Sequence, residues 1–256
     1  MTLRFASLGS GSRGNALLVE SAQTLVLVDC GLTLKAIEER LGGLGRDPRD
    51  IDAVLVTHEH TDHIRGVAAF ARRYRTPVRM TAGTAAGSAS RTPPRLETFN
   101  CHRQFEIGDL SIEPFPVPHD AREPCQFVFS NGHRRLGILS DTGHITPHIK
   151  THLAGCDALA LEFNHDAEAL WAGDYPEHLK QRIASQVGHL NNVQAAELLS
   201  HVADSRLQWV VALHLSETNN SPGRVRETLH DALGADHSAE AHLALQHEPS
   251  RWLEVV

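Results

Sequence analysis

Apolar and polar positions alternate from residue 3 to residue 8, the two-residue period of a half-buried strand. Residues 16 to 20 and 24 to 29 read as two more strands on either side of a Ser21-Ala22-Gln23 turn, so the chain opens with β-structure. The period then changes. Leu34, Ile37 and Leu41 recur at helical spacing behind Thr33, which can cap the helix, and Gly42-Gly43 ends it. Residues 53 to 56 form a short, wholly apolar strand of the kind buried on both faces. It runs straight into Thr57-His58-Glu59-His60-Thr61-Asp62-His63, after which residues 64 to 74 predict a helix.

Further along, residues 105 to 117 hold a Gly108-Asp109 turn between two strand patterns, and residues 126 to 139 hold Asn131-Gly132, a strong hairpin signal. Apolar strands are predicted at 158 to 163 and 209 to 215, and helices at 176 to 185, 193 to 202 and 222 to 233. The last of these has Ser221 as its cap and Pro222 at its first position. Each half thus gives strands followed by helices. That order predicts two sheets packed face to face with helices outside, a four-layered αββα sandwich, as one domain over residues 1–256. No internal repeat or low-complexity tract interrupts it.

Composition narrows the class. With 41% hydrophobic and 21% charged residues the chain is an ordinary globular one, and no apolar run approaches the ~18 to 20 residues that would span a bilayer. Residues 1 to 12 lack the apolar core of a secretory signal, which makes the cytoplasm the expected location. Cys30, Cys101, Cys125 and Cys156 are scattered, as reduced thiols are, and form no C-x-x-C pair. The net charge of −7 speaks against a surface coated for nucleic acid. One segment departs from it: residues 72 to 103 carry seven arginines against the single acid Glu97. It is either a solvated helix face or a feature that brings a polyanion to a site. Eighteen histidines are unusually many and hint at a transition-metal site, with a histidine-rich surface as the plain alternative.

Gly9-Ser10-Gly11-Ser12-Arg13-Gly14 matches a dinucleotide-binding fingerprint, with Asp29 at the expected distance. The mechanism of that motif needs a helix to begin at the glycines, and here a strand follows, so the match is rejected in favour of a tight turn near the site floor.

The segment His58-x-His60-x-Asp62-His63 packs four potential ligands into six residues at the end of a buried strand. A turn leaving a strand can aim His58 and His60 at one ion while Asp62 and His63 curl to a second, about 3.5 to 4 Å away. Each set needs completion. His119, Asp141 and His214 all follow β-patterned runs and are the candidates. Asp29 closes another strand, where it either orients a ligand histidine or simply makes a turn. His165 and His189 lie in loops, and either could donate a proton or hold a phosphate. Asn191 can in any case cap the following helix.

The run from His58 to His63, followed in order by His119, Asp141 and His214, resembles the signature of the metallo-β-lactamase superfamily over essentially the whole chain. The segments 7–15, 188–190 and 214–220 resemble more narrowly its YycJ (WalJ) subfamily of exonuclease-like phosphodiesterases. The resemblance implies His58, His60 and His119 on one metal, Asp62, His63 and His214 on a second, and Asp141 bridging both. It places His165 and His189 beside the substrate. True β-lactamases of the superfamily lack the bridging aspartate, so Asp141 points to other branches. The interval from Asp141 to His214 is too short for the domain inserted in the ribonuclease J branch.

Two ions sharing Asp141 would lower the pKa of a bridging water toward ~7 and neutralise a phosphodiester oxygen. Asp62 could hold the attacking hydroxide, and His189 or His165 could protonate the leaving oxygen. Imidazole and carboxylate ligands suit zinc, and manganese is also accommodated. The expected activity is a metal-dependent phosphodiesterase acting as a 5′ to 3′ exonuclease on DNA, or RNA. Aromatic residues at 5% give little for base stacking, which favours end-directed cleavage. The alternatives are a hydrolase of a small ester, lactone, thioester or cyclic phosphate, and a metal-binding interaction module without catalysis.

Overall fold

The computed structural model describes residues 2–88, 92–234 and 237–256. Strands β1 (Leu3–Gly9), β2 (Ala16–Glu20), β3 (Leu25–Val28), β4 (Ala53–Leu55), β5 (Val78–Thr81) and β6 (Leu96–Phe99) belong to one sheet. The second holds β7 (Phe105–Ile107), β8 (Leu110–Pro116), β9 (Cys125–Ser130), β10 (Arg135–Leu139), β11 (Ala158–Glu162), β12 (Trp209–Leu213) and β13 (Glu240–Leu243). Finally β14 (Leu253–Val255) returns to the first sheet beside β1. The strand orders are β14-β1-β2-β3-β4-β5-β6 and β13-β12-β11-β10-β9-β8-β7.

Each sheet turns from antiparallel to parallel partway across, at β3 to β6 in one and at β10 to β13 in the other. Parallel neighbours need long crossovers, and most of these are helical. In the first half they are α1 (Leu34–Gly43), α2 (Thr61–Ile64) and α3 (Val67–Tyr74), with α4 (Ala82–Gly87) after β5. In the second they are α5 (Pro147–Leu153), α6 (Ala167–Ala172), α7 (Glu177–Ile183), α8 (Asn192–Val202) and α9 (Pro222–Leu233).

Side-chain alternation sorts the strands into layers. Val26 and Val28 of β3 share the inter-sheet core with Phe127, Ile138 and Val211, whereas Leu25 and Leu27 pack with Ile37, Leu41 and Phe70 of the helices outside. In the second sheet Ala158 and Ala160 face inward, and Leu159 and Leu161 pack with Leu198, Leu199 and Leu229 of α8 and α9. Three apolar layers between four layers of backbone make this an αββα sandwich, as the strand and helix order predicts.

One expectation needs correction. The helix predicted over 64 to 74 is divided between α2 and α3, because Gly66 packs against the chain after β3. A Cβ there would lie 2.4 Å from the Leu32 carbonyl oxygen, and Gly66 N donates to Cys30 O at 2.7 Å. The described arginines of residues 72 to 103 are spread over several elements of the first half, and Gly87 within that stretch packs against Glu59 of the histidine run. Arg72 and Arg73 end α3, and Val78 N bonds Arg95 O, which sets Arg75 and Arg95 at the amino ends of β5 and β6, whereas His58 follows the carboxyl end of the parallel β4. Arg73 pairs with Glu38 and Arg79 with Glu97. Arg103 follows β6 at the sheet's outer edge, and Arg91 lies outside the described residues. Among the described residues, no helix is long and apolar enough to cross a membrane.

Candidate metal centre

The carboxyl ends of the parallel strands in both sheets converge on one place, the usual site for ligands in such sheets. Asp29 follows β3, Asp141 lies just past β10 and His214 follows β12, with φ of 59°, 53° and 55°. Left-handed backbone outside glycine costs of the order of 1 to 3 kcal/mol and tends to cluster at functional sites. Here the turn lets each strand end abruptly and point its last side chain across the gap between the sheets.

The histidine run supplies the rest. His58, His60 and His119 bring one ligand atom each within 4.8 Å of one another, as do Asp62, His63 and His214, and likewise His58, His63 and Asp141. Asp141 stands between the sets. Its Oδ2 is 3.3 Å from His63 Nε2, and its Oδ1 is 3.4 Å from His214 Nε2 and 4.0 Å from His119 Nε2.

Each imidazole has one nitrogen engaged outward and the other turned inward. Nδ1 of His63 meets Asp29 Oδ2 at 2.7 Å, Nδ1 of His58 meets Thr57 Oγ1 at 2.9 Å, and Nδ1 of His119 donates to Gly188 O at 3.1 Å. Nδ1 of His214 lies 3.0 Å from Asn164 Nδ2. His60 is reversed: its Nε2 donates to Asp120 O at 3.2 Å, leaving Nδ1 to face His119 Nε2. His58 Nε2 is buried without a hydrogen-bond partner among the described residues, a costly arrangement that a cation at the His58, His60 and His119 set relieves. The donor set therefore fits two divalent ions.

Electrostatics agree with that fit. Burial alone would lower the pKa values of His63 and His214, but Asp141 with Asp29 and Asp62 holds His63 well above its ordinary value, and Asp141 with Asp62 and Glu162 holds His214 up at about 9. Burial would raise the Asp62 carboxyl, yet His63 and His214 keep it far below the usual carboxylate range. Protons on these histidines stand where cations would.

The glycine-rich segment forms the floor, not a nucleotide loop. Asn15 N donates to Asp62 O at 2.8 Å, and Asn15 Nδ2 lies 3.1 Å from His63 Nε2. Ser10 Oγ accepts from His214 N at 2.7 Å. Gly31 must be bare, because a Cβ would sit 1.6 Å from the Asp62 carbonyl oxygen.

Sequence reasoning missed Glu162. Wholly buried at the end of β11, its Oε1 accepts from His189 Nδ1 at 2.7 Å, while Oε2 accepts from the backbone of Leu190 at 3.0 Å and Thr142 at 3.3 Å. An acid closing an apolar strand was the available signal, the same one that marks Asp29. Glu162 thereby holds His189 over the centre, with ring centroids 5.1 Å from His214 and 5.3 Å from His119. His165 is placed otherwise. Buried, with its pKa pushed down to about 4 by burial, it engages Asn164 Oδ1 at 3.2 Å and belongs to none of the ligand groups.

Comparison with known proteins agrees with this geometry. The beta-lactamase superfamily domain matches residues 24–214. The chain is 36% identical over 237 residues to the exodeoxyribonuclease YycJ of Bacillus anthracis, covering 91% of this chain and 90% of that one. It is 35% identical over 225 residues to the exodeoxyribonuclease WalJ of Streptococcus pneumoniae D39, with coverages of 85% and 83%. The crystal structure of the metallo-β-lactamase fold protein YhfI from Bacillus subtilis superposes with a TM-score of 0.77 at 15% identity, over 99% of this chain and 100% of that one. Fold, site and sequence agree: the chain belongs to the metallo-β-lactamase superfamily. Within it, the likeness to YycJ and WalJ spans nearly the whole length.

Proposed function

We propose that this chain is a phosphodiesterase working with two divalent cations, and specifically an exonuclease acting on DNA in the 5′ to 3′ direction. The observation that carries the proposal is Asp141, set between two histidine-rich triplets, with Nε2 of His63, His214 and His119 within 3.3, 3.4 and 4.0 Å of its carboxylate. His58, His60 and His119 would hold one ion and Asp62, His63 and His214 the other, with Asp141 touching both. Bound there, the ions supply Lewis acidity toward a phosphoryl oxygen and an activated water at neutral pH. The imidazole-rich set suits zinc, and its two carboxylates also accommodate manganese.

The chain's own residues do the rest. Glu162 fixes His189 by its Nδ1, so that in the imidazolium form the far nitrogen, Nε2, can give its proton to the departing oxygen or hold a phosphoryl oxygen as charge builds on it. His165 acts through Asn164, which in turn meets His214, so its role is positioning. The two exodeoxyribonuclease relatives support DNA as the substrate. Four buried, unpaired cysteines suit a reducing compartment, and we place the protein in the cytoplasm.

The test is degradation of 5′-labelled and 3′-labelled oligonucleotides, single- and double-stranded, with added Mn²⁺ or Zn²⁺. The expected result is metal-dependent release of nucleotides from the 5′ end, abolished in His60→Ala. Metal-loaded protein that cleaves no oligonucleotide would overturn the reading and leave a small ester, lactone, thioester or cyclic phosphate as the substrate.

A further inference from the structure

Beside the Asp62 half of the centre lies a cavity of about 480 Å³. Its wall brings together Arg13 from the glycine-rich segment, Thr33 and Arg40 from the first turn and last turns of the α1 region, Arg65 after α2, and His247 after β13. Asp62 is the only carboxylate in that wall among the described residues, and it belongs to the metal-ligand set. The three guanidinium groups come from three separate segments, and two of them, Arg40 and Arg65, have no carboxylate partner among the described residues. Arg65 donates Nη2 to the Arg13 carbonyl at 3.0 Å, and Arg40 donates Nη1 to the Gln246 carbonyl at 3.1 Å. Neither forms an ion pair with a carboxylate among the described residues. Arg13 meets Glu217 at 3.2 Å, and Glu217 also accepts from His247 Nε2 at 2.8 Å.

The arrangement is held in place. Gln246 Oε1 accepts from Arg13 N at 2.7 Å while its Nε2 donates to Gly14 O at 2.8 Å, which ties the glycine-rich segment to the chain after β13. A concave wall in which three guanidinium groups face one carboxylate focuses a net positive field, and the planar guanidinium fork matches phosphate oxygens. Arg40 is half-buried, and its Nη1 donates to the carbonyls of Leu8 and Gln246, which fixes the guanidinium in the wall. The volume falls within the roughly 300 to 1,000 Å³ of small-ligand sites, room for one nucleotide and not for a duplex.

We propose that this cavity receives a phosphate of the substrate strand next to the bond being cleaved, through Arg13, Arg40 and Arg65. This rests on the nuclease reading above, and it replaces the arginines of residues 72 to 103 as the source of attraction for a polyanion. The phosphate is either the strand's 5′-terminal group or an internal diester, and the chemistry of capture is the same.

The experiment measures kcat and KM of the metal-loaded enzyme on 5′-phosphorylated and 5′-hydroxyl single-stranded oligonucleotides over a range of salt. Bis(p-nitrophenyl) phosphate, a small diester with no second phosphate, is the reference substrate. Arg13→Ala and Arg65→Ala are each expected to lower the ratio of oligonucleotide to small-diester kcat/KM about tenfold, mainly through KM. The slope of log KM against log salt should shrink by about 0.7 per arginine. Taking the ratio to the small diester cancels any loss of folded enzyme. An effect confined to the 5′-phosphorylated substrate identifies the terminal phosphate as the occupant, and an equal effect on both identifies an internal one. If wild type degrades oligonucleotides and both variants keep its ratio and salt slope, the proposal is overturned. If wild type hydrolyses only the small diester, the nuclease reading fails instead.

Discussion

Glu162 accepts the Nδ1 proton of His189 at 2.7 Å, so the ring meets the substrate in one orientation and, as an imidazolium, presents its Nε2 proton to it. Removing a general acid or an oxyanion donor of this kind costs about 10² to 10⁴ in rate. His189→Ala should therefore lower kcat by that order while two metal ions remain bound, and Glu162→Gln should lower it less and alter the pH profile of kcat. Steady-state kinetics beside metal analysis checks both, and His189→Ala turning over at the wild-type rate would contradict the assignment. A second prediction follows from the protons that occupy the centre without metal. His63 and His214 are held above 6.5, His214 at about 9. For groups raised in the folded state, the added stability is complete below 6.5 and is lost as pH climbs through the folded value. The melting temperature of metal-stripped protein should fall between pH 6.5 and 9, and that of loaded protein should not. Loading near neutral pH should also release protons, seen as a calorimetric heat that changes with the buffer's ionisation enthalpy. A heat independent of buffer would exclude the charged histidines.

Strand ends are the elements that make the site, and Gly31 shows how tightly they are fitted. Gly31→Ala would drive a methyl group into the backbone of Asp62, at the start of α2, while the sheets stay untouched. The expected result is a drop from two bound ions toward one with native circular dichroism. Gly42→Ala in α1, where nothing lies within 4 Å of the added carbon, should keep both ions and gain up to about 1 kcal/mol of stability. Two ions in Gly31→Ala would show that the loop can shift without loss. The long, strongly patterned elements were legible in the sequence: α9 runs over Pro222–Leu233 as its cap and proline predict, and the apolar runs before His58 and His214 are strands. Short elements such as α4 and α6, of six residues each, carry too few periods to be read. The break at Gly66 was hidden because its cause is a contact with Cys30 and Leu32, more than thirty residues earlier. Glu162 was hidden for a related reason: its value lies in partners at residues 142, 189 and 190, which only the parallel pairing of β10 and β11 and the loop before α8 bring near.

At the scale of the molecule, two sheets of seven strands each contribute one side of the centre. The first sheet gives Asp29, His58, His60, Asp62 and His63, and the second gives His119, Asp141, Glu162 and His214. Charge is distributed accordingly. Of the arginines conspicuous in the sequence, Arg73 pairs with Glu38 and Arg79 with Glu97, while three arginines separated along the chain meet in the cavity beside Asp62. The central claim is that two ions share Asp141 and that phosphodiester cleavage needs both. Its most direct test is a titration of metal-stripped protein with Mn²⁺ or Zn²⁺, following bound metal and oligonucleotide hydrolysis in the same samples, for wild type and Asp141→Asn. The account predicts that activity appears only as the second equivalent binds and that Asp141→Asn loses it at any metal concentration. Full activity at one equivalent, or an active Asp141→Asn, would contradict it.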